Sequence, residues 1–75
     1  MEKYIKSLID NVAKNAFESC EYSESNFVVI VDLGMNDFSV VDYDTHFTSL
    51  IEVVSGIEGS SYIVDRDMGI EEFIN

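Results

Sequence analysis

Cys20 and His46 are the only cysteine and the only histidine in the chain, so they are its one candidate thiol–imidazole pair. Nucleophilic catalysis of that kind needs a base beside the thiol and a third group to orient the base. Cys20 stands at the apolar end of an amphipathic segment, with no cationic neighbour to favour a thiolate, and reads as a small core residue. Carboxylates recur in pairs at Asp42/Asp44, Asp65/Asp67 and Glu71/Glu72. Acid–base chemistry asks for two carboxylates in unlike environments inside a cleft, and a domain of this size has little room for one. Asp42-x-Asp44-x-His46 alternates oxygen and nitrogen donors but lacks the glycine and the closing bidentate glutamate of a calcium loop. It reads instead as a strand end running into a helix cap. Gly56-Ile-Glu-Gly59 carries an acid and no lysine at phosphate-cradle spacing, so its glycines serve turns. These residues point away from catalysis, with no catalytic set, no metal site and no cofactor expected.

The acids themselves are the more informative feature. The chain has a formal net charge of −11 over 75 residues and a pI near 4.1. Lys3, Lys6 and Lys14 fall within the first fourteen positions, whereas from Glu18 onward thirteen acids face one base, Arg66. Like charge at that density opposes the compact state, which implies a use other than stability. Carboxylates two apart on a strand point the same way, about 6.5–7 Å apart, so Asp42/Asp44 and Asp65/Asp67 would form short rows. Asp32, Asp37, Glu52 and Glu58 extend that negative field. Such a surface steers toward a cationic protein and pairs with its Arg and Lys side chains. It repels phosphates, so direct binding of nucleic acid is disfavoured.

The elements that would carry these acids follow from hydrophobic periodicity. Ile5, Leu8, Ile9, Val12, Ala16, Phe17 and Cys20 predict a helix from about Glu2 to Cys20, with an Asp10–Lys14 pair on its polar face. Phe27–Leu33 and Phe38–Tyr43 are strand-like runs joined by the turn formers Gly34-Met-Asn-Asp37, hence an antiparallel hairpin. Pairing Leu33 with Phe38 would set Val31 against Val40 and Val29 against Asp42, on the face expected to meet the helix. Val28, Ile30, Val41 and Tyr43 would lie on the other face, as an apolar contact or homodimer surface. Asp44-Thr45 is a plausible cap for a second helix over Phe47–Val54, which its β-branched content also allows to be a strand. Ser61–Asp65 reads as a third strand and Ile70–Ile74 as a terminal helical turn.

The expected fold is therefore a single α+β domain over 1–75, a small antiparallel three-stranded sheet with helices on one face in the order α-β-β-α-β-(α). The alternative is an N-terminal helix followed by a four-stranded meander. With 47% hydrophobic residues, five Phe and four Tyr, the composition is that of a folding chain and not of an acidic tail. One cysteine allows no internal disulfide, and charges interrupt the first twenty residues. A cytoplasmic protein with no membrane association is expected.

In its length, its pI, its lack of a catalytic set and its acid-rich stretch from Asp32 to Asp67, the chain resembles the small acidic inhibitors that phages direct against host defence. DNA-mimicking anti-restriction and anti-CRISPR proteins are examples. The resemblance is one of overall character and assigns a role to no individual residue. It implies a stoichiometric inhibitor that occupies the basic nucleic-acid-binding surface of a protein partner. The alternative is a structural or regulatory interaction module, homodimeric or not, whose acids serve solubility.

Overall fold

The computed structural model describes residues 2–19 and 24–74, with side chains described through residue 70. Ile9, Ala13, Ala16 and Phe17 recur at three- and four-residue spacing and are buried along one stripe of α1, Lys3–Glu18. Asp10 pairs with Lys6 at 2.7 Å, one turn before the expected partner Lys14. Cys20, the expected end of this helix, lies outside the described residues.

Four strands follow: β1 (Phe27–Gly34), β2 (Asp37–Asp44), β3 (Ser61–Asp65) and β4 (Gly69–Ile74), with α2 (Phe47–Ser55) between the second and third. The sheet runs in the order β2-β1-β3-β4, and each neighbouring pair is antiparallel. The fold is α+β, and its four strands match the alternative count. The order is not that of a meander, because β3 pairs with β1. Strands β2 and β3 both oppose β1, so they run parallel to each other with β1 between them. A parallel return needs a crossover, and α2 supplies it. The final segment is an edge strand and not a helical turn. It is too short for a stable helix, and pairing with β3 satisfies its backbone directly.

The helices cover opposite faces of the sheet, in place of the single face expected. Val28, Ile30, Tyr62 and Val64 pack with α1, while Val29 and Ile63 pack with Leu50 and Val54 of α2. The cause lies in the central strands, whose side chains are apolar at successive positions and so need cover on both sides.

The hairpin register departs from the expected one at two bulges. Val29 faces Asp42 as expected, but Ile30 then faces Val40 and Asp32 faces Phe38. Val41 and Leu33 are the extra residues. The effect is to turn Phe38 and Val40 onto the Val28/Ile30 side, where α1 buries them, and where Phe38 meets Tyr62 edge-on at 6.3 Å. A helix over the Val29/Val31 side exists as well, but it is α2, anchored by the edge-on contact of Phe27 with Phe47 at 5.7 Å.

Candidate functional site

The position of each acid follows from the pairing, because residues directly opposite on adjacent strands share a face. Asp42 faces Val29 and Asp44 faces Phe27, so both carboxylates flank α2. Glu52 is exposed on α2 itself, and Glu58 is exposed in the loop that follows it. All four basic residues of the chain sit on the opposite side. Lys3, Lys6 and Lys14 belong to α1, and the Arg66 guanidinium lies 4.7 Å above the Phe17 ring. The side built on α2 therefore carries acids and no lysine or arginine. Asp32 lies opposite Phe38 and belongs with the α1 side. Asp37 is exposed at the start of β2.

Several of these carboxylates also hold backbone. The Tyr43 N–H donates to Asp42 Oδ1 at 2.7 Å, and the Gly34 N–H to Asp32 Oδ1 at 2.7 Å. Asp44 Oδ1 accepts from the N–H groups of Thr45 and His46, at 2.7 and 3.0 Å. The bond from His46 is the main reason that the Asp44 carboxyl is held below its ordinary value. His46, and not Asp44 or Thr45, is the N-cap of α2, and it makes no side-chain capping bond.

Asp65 and Asp67 do not form the expected row. Asp67 lies in the β3–β4 turn, and Asp65 Oδ1 accepts from the N–H groups of Asp67 and Met68 at 2.8 and 2.9 Å. An Asx turn of this kind draws the Asp65 carboxylate into the loop. Gly69, at φ +85°, then starts β4.

The expected apolar contact divides. Val28 and Ile30 are 0% exposed, because α1 covers their face, so they cannot meet a partner. Val41 and Tyr43 are 52% and 44% exposed. Val41 is thrown outward as a bulge residue, and Tyr43 sits on the edge strand opposite Val28.

Two features are not foreshadowed by local sequence pattern. The first is the Arg66 clamp: Nε and Nη2 donate to Ser25 O at 2.9 and 2.6 Å, and the Arg66 N–H donates to Asn26 O at 2.8 Å. It ties the entry to β1 against the β3–β4 turn. Its signal was its status as the lone base of the acidic stretch. Arg66 also borders an open groove of about 470 Å³ between α1 and that turn, with Lys6, Asp10, Lys14, Phe17 and Met68. The second is the hairpin tip, where Met35 and Asn36 both take positive φ, +54° and +60°. Gly34 faces Asp37 across this two-residue loop, which makes it a type I′ turn.

Compared with protein-family models, curated proteins and solved structures, the chain matches none. Among the described residues, no helix is long and apolar enough to cross a membrane.

Proposed function

We propose that this chain is a non-enzymatic acidic binding protein whose α2 side docks on a cationic protein surface. In this reading it is a stoichiometric inhibitor that takes the place of nucleic acid in a basic groove. The observation that carries it is that the α2 side presents carboxylates with no lysine or arginine among them. Asp42, Asp44, Glu52 and Glu58 lie on the α2 side, and every lysine and arginine lies on the other. A carboxylate surface unbroken by lysine or arginine orients the encounter with a cationic partner, whereas on the α1 side the four bases are mixed with Asp10, Glu18 and Asp32 and the charges partly cancel. The likeness in overall character to phage anti-defence inhibitors makes nucleic-acid-handling defence complexes the first partners to try.

The test is retention of lysate proteins on the immobilised chain at low salt, followed by elution with rising salt. Each eluted protein is then assayed for displacement of its nucleic acid by the free chain. The comparison variant carries Asp42→Asn, Asp44→Asn, Glu52→Gln and Glu58→Gln, which keep hydrogen-bond acceptors and remove charge. The reading expects a 1:1 or 2:1 complex that weakens as salt rises and is lost in the variant. Retention that is the same for the variant, or indifferent to salt, sinks it.

A further inference from the structure

Surface carboxylates contribute steering and selectivity, while a few apolar anchors in desolvated pockets carry most of the affinity of an interface. Met35 is the most open large apolar side chain among the described residues, at 101% exposure, and Leu33 beside it is 59% exposed. Both are placed there by the backbone. Leu33 is the unpaired bulge residue of β1, and Met35 occupies the first central position of the type I′ turn.

That position favours Asn, Asp or Gly, because a long side chain in the left-handed region is strained. Met35 is therefore a costly choice for the turn, and stored backbone strain tends to gather at sites of recognition. The tip is also held in place before any partner arrives. Asp32 Oδ1 accepts from the Gly34 N–H at 2.7 Å, and the Asp32 N–H donates to Ser60 O at 3.0 Å. Little ordering remains to be done on binding.

The chemistry around the tip selects its occupant. Asp32 and Asp37 flank it in the hairpin, and the bond to Ser60 brings the Glu58-bearing loop against its base. An apolar point flanked by the carboxylates of Asp32 and Asp37 fits an apolar pocket bordered by lysine and arginine. The same carboxylates repel the anionic headgroups of a bilayer and their counterparts on a second copy.

We propose that Leu33 and Met35 are the apolar anchor of this protein's interface, inserted into a protein pocket whose rim is basic. The inference rests on the reading of the chain as an acidic protein-binding module, and adds the contact that would give it affinity.

The experiment uses two defined probes on the isotope-labelled chain, followed by amide chemical shifts. One is an amphipathic helical peptide of leucine and lysine, which presents apolar surface bordered by cations; the other is oligolysine. The leucine–lysine peptide is expected to shift residues 33–37 and to bind Met35→Asn about tenfold more weakly, the loss typical of an anchor. The salt dependence should not change. Oligolysine is expected to shift the acidic positions, Asp37 among them, without shifting Leu33 or Met35, and to ignore Met35→Asn. Because Asn suits the turn, Met35→Asn should melt no lower than the parent, and Leu33→Thr provides a second variant that keeps strand propensity. If the leucine–lysine peptide shifts only the acidic positions, the anchor is refuted and the acidic reading stands. If neither peptide shifts any residue, both are refuted. Shifts at 33–37 on adding zwitterionic phosphatidylcholine vesicles, with none from the peptide, would make the tip a lipid contact and overturn the proposal. Shifts at 33–37 that grow with protein concentration alone would make the occupant a second copy, and overturn it equally.

Discussion

Ser61 is fully buried, and its Oγ has no hydrogen-bond partner among the described residues. A buried hydroxyl left unpaired loses its hydration without compensation. Ser61→Ala should therefore stabilise the fold by about 1 kcal/mol in urea titration; a clear loss of stability would show that the hydroxyl is bonded. Tyr62 makes the opposite use of burial. Desolvation, helped by the nearby Asp32 charge, raises its phenol above the ordinary 10.0. The unfolded chain then ionises this tyrosine first, so its contribution is intact below pH 10 and declines as pH rises through the folded value. Unfolding midpoints across that range should fall more steeply for the parent than for Tyr62→Phe. Parallel curves would locate the alkaline sensitivity elsewhere.

At the scale of elements, the sheet separates two cores. Ile9 belongs to the one under α1 and Val54 to the one under α2, with no buried residue in common. Effects at sites without shared neighbours add to within about 0.5 kcal/mol. The destabilisation of the double variant Ile9→Val/Val54→Ala should accordingly equal the combined losses of the single variants in chemical denaturation. A larger discrepancy would mean that the central strands transmit strain between faces. The bulge at Val41 shows how such elements are tuned. One inserted residue turns Phe38 and Val40 toward α1, and leaves Asp42 and Asp44 flanking α2. The same irregular pairing shapes the core and the acidic side together.

For the molecule as a whole, the net charge of −11 works against compactness. Raising sodium chloride from about 0.01 to 0.5 M shortens the reach of that repulsion from roughly 30 Å to a few ångströms. The Tm should rise across this range while binding to any cationic partner weakens. A flat Tm would mean that the acids are too well separated to repel one another, and would remove the cost that points to their use. Opposite trends in stability and affinity are the outcome that the proposed recognition role predicts.

Local pattern in the chain sufficed for much of this. The apolar spacing from Ile5 to Phe17 specifies α1, the run Phe27–Leu33 specifies β1, and the turn formers at 34–37 specify a hairpin. The acid excess, and its absence from α1, are likewise plain in composition. These are properties of neighbours in sequence, for which periodicity and charge count are direct measures. What the tertiary structure decided is everything that depends on pairing between distant residues. It set β3 beside β1, placed the helices on opposite faces, slipped the hairpin by one residue at Val41, and turned Ile70–Ile74 into an edge strand. Alternation along a strand says that side chains divide between two faces, but not which helix covers which face. A single bulge inverts the answer for every residue beyond it. The segregation of Asp42 and Asp44 from Lys3, Lys6 and Lys14 is a consequence of that choice, because only the folded sheet stands between them.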